Sequence, residues 1–441
     1  MDRLQAVEGT GGNHSAGYYQ YFTQSGDTLR TIAIRFNAFY SEIKAADGSR
    51  LPEQGLLPPG LELIIPKKLA QTTESTRSFP DSEIVFSKSS ARFDVKTFIY
   101  RKKGYLAAYA DEEGRTGSEI VLTLARVNSV NPKILISILE KASGWLTNRD
   151  PDMWRLDYPM NFRDPYHKGL YRQLMLAIDY LERGYYGWRE ARIVSLYFND
   201  GESIRLAPDL NAGTVAVMYY FSKITWTMAE WERAVRDYYD LYVGLFGDPR
   251  ANAVEPLYPA SLDQPALILP FPAAQSWCFS NGPHGAWDSK GPAAAVDFAP
   301  PQYEYSTPSS RIVVASAAGT VVRSGANSVV IDLDSDGLEQ TGWNLFYFHI
   351  ADEGRVTEQS AVQTGEQIGY ASNEGGASSG IHVHFARKYN GEWILAGGPV
   401  PFALSGWKLT AGGAEGEWDF IRSGRVVIAS KDCNFPNMIS R

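Results

Sequence analysis

Histidine and cysteine are scarce in this chain, with six His and two Cys in 441 residues. Two cysteines, Cys278 and Cys433, are too few and too far apart for a zinc knuckle. They are either a disulfide, which would imply an oxidising compartment, or two inert buried thiols. Basic charge is short as well. Lys and Arg total 42 against 50 Asp and Glu, a net charge of -8 and a pI near 5.4. That balance excludes the positive field nucleic acid requires, and no Lys/Arg-rich run marks a membrane-surface patch. No apolar run approaches the ~18 residues of a membrane span, and residues 1–16 lack the apolar core of a secretory signal. Location is therefore not written in the residues, and neutral or weakly charged polymers remain as partners. What the chain does have is 44% hydrophobic and 13% aromatic residues, ample for about three packed domains.

Four of the six histidines, His284, His349, His382 and His384, fall in one C-terminal window. Gly380-Ile-His-Val-His-Phe385 reads as a strand, and side chains two apart on a strand share a face. His382 and His384 therefore meet one site. Such a pair is either a cross-strand polar contact or a metal geometry, and the clustering of the others favours a site. His14 and His167 have no partner pattern and read as surface residues.

From the N-terminus, Tyr19 to Thr23 reads as a strand. A turn at Ser25 to Thr28 leads into a helix with Leu29, Ile32, Ala33 and Phe36 at helical spacing. A second short helix is expected over 40–46, then Leu57-Pro-Pro-Gly60 turns into a strand over 61–65. This β-α-α-β unit, with QSGDTLRTIAIRF and LPPGLELIIP, resembles a LysM domain, a binding module for N-acetylglucosamine polymers. The resemblance spans residues 18–67 and places glycan contacts at Gly26, Asp27, Thr28, Pro58, Pro59 and Gly60. Residues 68–89, rich in Ser, Thr and Glu, read as a linker.

Residues 90–248 read as an all-α domain. Thr116-x-x-Glu119 and Thr227-x-x-Glu230 are capping boxes, Asn131-Pro132 pairs an N-cap with Pro at the first helical position, and further helices are expected at 168–183 and 211–224. VNPKILISILEKASGW resembles the catalytic helix of lysozyme-like lytic transglycosylases. The position of the general acid is Ala142, which has no proton to give, and Glu140 lies about 200° around the helix from it. The domain is therefore expected to hold glycan or act as a spacer without cutting sugar. Trp145, Tyr185, Tyr186 and Trp188 are either sugar-stacking rings or core.

After a second linker at 249–265, rich in proline, the pattern turns to β. LPFPAAQSW, AAVDFAPP, IVVASAAGTVV, FYFHI, VQTGEQIG and SSGIHVHF together resemble the lysostaphin-type (LytM) zinc endopeptidases of bacterial cell walls, over residues 266–407, with 408–441 as an extension. The whole is then a multidomain α+β chain ending in an antiparallel-β domain. The resemblance implies one Zn²⁺ per chain held by Asp297, His384 and a further His, with His349 and His382 catalytic. The family's first His lies four residues before the Asp, where this chain has Ala293. His284 takes that role in this reading, with Asp288 as the next candidate. The implied function is hydrolysis of peptide cross-links or stem peptides of peptidoglycan, by a monomer outside the cell or in its envelope. The alternative is a wall-binding or hydrolase-activating protein with a degenerate site.

Overall fold

A computed structural model describes residues 17–287, 290–301, 311–376, 378–412, 417–433 and 435–441. His14 and Asp288 lie outside the described residues.

The N-terminal unit pairs β1 (Tyr18–Phe22) with β3 (Glu62–Pro66), and β3 with the short β2 (Lys44–Ala45). Helix α1 (Leu29–Phe36) crosses them, starting at Thr28, whose hydroxyl accepts from the Thr31 amide. Its apolar stripe Leu29, Ile32, Ala33 and Phe36 closes a small core with Tyr21, Leu63 and Ile65. The expected second helix is absent. Tyr40–Glu42 forms one 3-10 turn, and the chain then extends into β2, where the Lys44 and Ala45 backbone pairs with β3 instead of closing a helical turn.

Helices α2 (Val95–Lys102), α3 (Tyr105–Ala108), α4 (Gly117–Asn128), α5 (Pro132–Ser143) and α6 (Met153–Asp157) begin the middle domain. It continues through α7 (Leu170–Arg189), α8 (Ala212–Ile224) and α9 (Met228–Phe246). Both capping boxes form, and Asn131 caps α5, which fixes these helix starts locally. The domain is not all-α, because β4 (Ser195–Tyr197) and β5 (Ser203–Arg205) make a hairpin between α7 and α8. Trp145, Tyr185, Tyr186 and Trp188 are all core, so none is a sugar platform.

The C-terminal domain is built on β6 (Ser276–Gly285), β7 (Ala293–Ala299), β9 (Gly319–Gly325), β10 (Ser328–Asp332), β11 (Trp343–Phe348), β12 (Ala361–Val362) and β14 (Val383–Tyr389). They form one antiparallel sheet in the order β12-β9-β10-β11-β14-β7-β6-β20, with β20 being Met438–Ser440 and β15 (Glu392–Trp393) added beside β14. A small pair joins β8 (Ile312–Val314) to β13 (Gln367–Tyr370). A four-stranded sheet holds β16 (Ala403–Leu404), β17 (Trp407–Ala411), β18 (Trp418–Arg422) and β19 (Arg425–Ile428). Period-2 alternation splits the large sheet into two faces. Val329, Ile331, Leu345, Tyr347, Val383 and Phe385 pack within the C-terminal domain. Val330, Phe346, Phe348, Ala386 and Trp393 instead belong to the same core as the helices. The helical domain and the β domain thus share a core across one sheet face.

Three boundaries drawn from composition need correction. Residues 68–89 are not a free linker from Phe79 onward, because Phe79, Ile84 and Val85 enter the helical core. The Asp81 carboxylate there accepts from Asn211 Nδ2 and the Gly213 amide, each at 2.7 Å. Nor is 249–265 a free linker. Leu257, Tyr258 and Leu262 are buried, the Tyr258 amide donates to Ser25 Oγ at 3.1 Å, and Asn390 Nδ2 donates to the Leu257 carbonyl at 2.7 Å. Finally, 408–441 is part of the β domain. Phe420, Val427 and Ile439 lie in its core, β20 pairs with β6, and Cys278 is disulfide-bonded to Cys433.

Arg189, at the end of α7, lies where the three units meet. Its Nε and Nη2 donate to the Glu392 carboxylate of β15 at 2.9 and 2.8 Å, and Nη2 also lies 3.0 Å from Asp81. On its other side sits Gly26 of the N-terminal unit, at φ +83°. A Cβ built there would stand 2.7 Å from Arg189 Nη1, so glycine serves both the left-handed turn and the close approach.

Candidate metal and catalytic site

Strands β6, β7, β14 and β11 are consecutive in the sheet and bring the four C-terminal histidines to Asp297. His384 stands directly opposite Asp297 in the β14–β7 pairing. Bulges in β6 shift its register so that Asn281 faces Asp297 and His284 faces Ala295. This advances His284 along the strand to reach the carboxylate from the neighbouring strand. Spacing along the chain is therefore no obstacle to it, although Ala293 stands where the sequence pattern has a His.

His284, Asp297 and His384 each offer an atom within 4.8 Å of the others. Asp297 Oδ1 lies 2.8 Å from His284 Nε2 and 3.3 Å from His384 Nδ1. His284 Nε2 and Asp297 Oδ1 are nonetheless buried without a directed hydrogen bond. A cation between the two atoms would satisfy both. Burial opposes ionisation of Asp297, but His284 and His384 outweigh it and hold the carboxyl well below the usual carboxylate range.

Backbone carbonyls fix the imidazole tautomers, since a carbonyl only accepts. His384 Nε2 donates to Ala286 O at 2.8 Å, which leaves Nδ1 bare toward Asp297. His349 Nδ1 donates to Glu374 O, and His382 Nδ1 donates to Gly380 O, both at 2.9 Å. Both therefore present a bare Nε2, and that of His382 is 3.8 Å from Asp297 Oδ2. The His349 and His382 rings are 4.4 Å apart. His349 takes φ +59° just past the end of β11, an uncommon conformation for a non-glycine residue, held by the Ser372 amide and hydroxyl on its carbonyl at 2.8 and 3.0 Å. Burial, with His382 next, pushes the His349 imidazole down to about 4. Burial lowers His384 too, against the pull of Asp297. Both rings are neutral at pH 7, the form that binds metal or takes a proton. The His284 and His382 side chains keep 26% and 14% exposure, so the site opens on their side.

The orienting groups Ala286 O, Glu374 O and Gly380 O carry no signal in the sequence, because every residue has a carbonyl.

The expected glycan loops of the N-terminal unit fare differently. Asp27 is buried, ion-paired with Arg35, and accepts from the Tyr21 hydroxyl and the Gln24 amide, so its carboxylate is committed internally. Gly26 faces Arg189, and Gln24 Nε2 donates to the Asp209 and Leu210 carbonyls at 3.1 Å. Pro58 and Gly60 remain exposed, with Thr28 and Pro59 half-buried. In the middle domain, Glu140 accepts from the Leu146 amide at 2.8 Å and from the Thr147 hydroxyl, where it secures the end of α5.

The family model described as LasA, N-terminal domain, matches residues 77–260, the region whose sequence suggested a lysozyme-like domain, and Peptidase family M23 matches residues 296–395. The M23 match contains Asp297, His349, His382 and His384, and begins after His284. Protease LasA of Pseudomonas aeruginosa strain UCBPP-PA14 is 27% identical over 338 residues, covering 71% of this chain and 74% of that protein. The same figures hold for Protease LasA of strain PAO1. Among solved structures, the M23 metalloprotease pseudoalterin from the deep sea is similar at 20% identity, over 39% of this chain and 99% of that one, with a TM-score of 0.29. The catalytic domain of lysostaphin from Staphylococcus simulans is similar at 21% identity, over 27% of this chain and 87% of that one, with a TM-score of 0.20. Residues 296–395 are thus similar to the Peptidase family M23 domain, and they follow a region similar to the LasA N-terminal domain at residues 77–260.

Proposed function

We propose that the chain is a zinc endopeptidase that hydrolyses amide bonds in the peptides of bacterial peptidoglycan. The observation that carries this reading is the convergence of His284 Nε2, Asp297 Oδ1 and His384 Nδ1 on one point, beside two imidazoles with bare Nε2 atoms. Two imidazoles and a carboxylate are a donor set suited to zinc with one position left open. Bound there, zinc would supply a Lewis acid for the scissile carbonyl and lower the pKa of the attacking water. The chain's own groups do the rest. His349 Nε2 takes the proton of the water, since its tautomer is fixed and its ring is neutral at pH 7. His349 then gives that proton to the leaving amine as the C–N bond breaks, and His382, 4.4 Å from it ring to ring, donates from Nε2 to the developing oxyanion after taking a proton from solvent. Asp297 stays ionised throughout.

Incubation with purified peptidoglycan should release new amino groups. A chelator should stop the release, and added zinc should restore it. New reducing sugar ends without amines would point to glycan cleavage, and silence in both assays with zinc bound would point to a wall-binding protein without activity.

We also propose that residues 18–67 anchor the enzyme on glycan in the manner of a LysM module, through the exposed side formed by Thr28, Pro58, Pro59 and Gly60. The middle domain has no free acid at Ala142 or Glu140 and takes no part in sugar cleavage. Deleting residues 1–70 should weaken retention on insoluble walls while hydrolysis of a small soluble peptide is kept, because an anchor raises local concentration without touching the chemistry. Equal loss on both substrates would instead assign the unit a supporting role in the fold, through Gln24, Ser25 and Gly26.

A further inference from the structure

The connection from β10 to β11 reads Asp332-Leu-Asp334-Ser-Asp336-Gly337-Leu338-Glu339, and no step above uses it. Carboxylates at the first, third and fifth positions with glycine at the sixth have the spacing of a calcium-binding loop, where the glycine makes the sharp turn. Gly337 has φ +84°. One oxygen of each of the three carboxylates lies within 4.8 Å of the others. The cations of this part of the sheet are engaged elsewhere, Arg323 and Lys388 both being held by Glu339 at 2.6 and 3.6 Å.

A separate observation distinguishes this cluster from an ordinary acidic loop. Asn344 is wholly buried and stands directly opposite Asp332 in the β10–β11 pairing, so the two side chains adjoin on one face. Its Nδ2 donates to the Thr341 carbonyl at 2.8 Å. Its Oδ1 is buried with no hydrogen-bond partner, on the face it shares with Asp332. Its other cross-strand neighbour, Lys388, turns its ammonium to the Arg126 carbonyl at 3.2 Å and to Glu339, so the amide oxygen next to Asp332 is left without a donor, a lack that a cation makes good.

We propose that Asp332, Asp334, Asp336 and Asn344 form a calcium site, separate from the histidine site. All the donors are oxygens, which selects a hard cation. Several protein oxygens on one loop suit the larger, more loosely coordinated Ca²⁺ better than Mg²⁺, which keeps its waters and demands octahedral geometry. The loop departs from the helix-loop-helix pattern at its twelfth position, where Trp343 replaces the bidentate Glu. Asn344, one residue on, supplies the strand-side oxygen. A cation here ties together the β10–β11 hairpin, the far end of which carries His349.

The test is calorimetric titration of calcium chloride into the zinc-loaded full chain, with melting followed in parallel. The expected result is one site with a Kd on the order of 10⁻⁴–10⁻³ M or tighter, and a higher melting temperature in calcium. Asp334→Asn with Asp336→Asn should weaken binding about 100-fold, and Asn344→Ala about tenfold. In calcium-free buffer the double Asn variant should melt above the parent, because it lacks the like-charge repulsion, and in calcium the order should reverse. If the double variant does not fold, Asp336→Asn alone serves the same comparison. No heat and no change in melting for the parent at ~10 mM calcium would overturn the proposal. So would equal calcium affinity in parent and variants, which would place the ion elsewhere, or tighter binding of magnesium than of calcium.

Discussion

Asp297→Ala should yield a folded protein that holds no zinc and hydrolyses its amide substrate at least about 10³-fold more slowly, since a Lewis acid contributes several kcal/mol to such a transition state. The reason lies in where Asp297 sits. Asp297 touches both His284 and His384, its Oδ1 lying 2.8 Å from His284 Nε2 and 3.3 Å from His384 Nδ1. Without it, two imidazoles remain on β6 and β14, strands that β7 separates, too few to hold zinc in a closed geometry. His349→Ala should separate metal from chemistry. It should keep stoichiometric zinc and still lose about 10²–10⁴-fold in kcat, the usual contribution of a general base. Zinc analysis beside peptide kinetics on both variants checks this. Full zinc content in Asp297→Ala would sink the ligand assignment, and unchanged kcat in His349→Ala would remove that residue from the chemistry. His284→Ala with full zinc would leave the first ligand to be found elsewhere.

Arg189→Met should be the most damaging single change away from the site. The guanidinium is buried between Asp81 of the middle domain and Glu392 of the β domain, with the Tyr185 hydroxyl also donating to Glu392 at 2.8 Å. Removing one partner of a buried ion network strands the other charges, at a cost of roughly 3–5 kcal/mol, or about 10 °C in melting temperature for a unit of this size. Replacing Glu392 by Gln in the same chain removes one stranded charge and should recover part of the loss, so the two substitutions are non-additive. Melting curves of the two single variants and the double variant decide it. Strict additivity, or a shift of less than about 2 °C for Arg189→Met, would show that Arg189 does not hold the units together.

Much of the local structure was legible because its causes are local. The capping boxes at Thr116 and Thr227 and the Asn131-Pro132 start each need only a few consecutive residues, and each helix begins where they place it. The turn to β beyond residue 265 was readable from the same kind of local pattern, and β8 to β11 lie within it. His382 and His384 were readable from spacing, and the structure sets both beside Asp297. What stayed illegible depends on tertiary context. The run from Phe79 to Phe86 mixes apolar and acidic residues without a helical or strand period, and it enters the core because Asn211 and Gly213 satisfy Asp81 there. Met438–Ser440 looks like a tail until β6 is available to pair with it. Asn344 gave no signal at all, since only the folded sheet sets it across from Asp332 and leaves its amide oxygen without a donor.

The core shared across one sheet face has a practical consequence for protein engineering. A chain divided by composition into anchor, spacer and enzyme invites cutting at 249–265 and recombining the parts like cassettes. Here the cut would open the core that Val330, Phe346, Phe348 and Trp393 share with the helices, and strip Trp393 of the Tyr186 hydroxyl and Asn128 carbonyl that its amide and indole bond to. A contiguous apolar patch of that kind drives self-association. A minimal enzyme made from the β domain would need that face rewritten with polar side chains, and a chimera would need a donor helical domain with a surface matched to it.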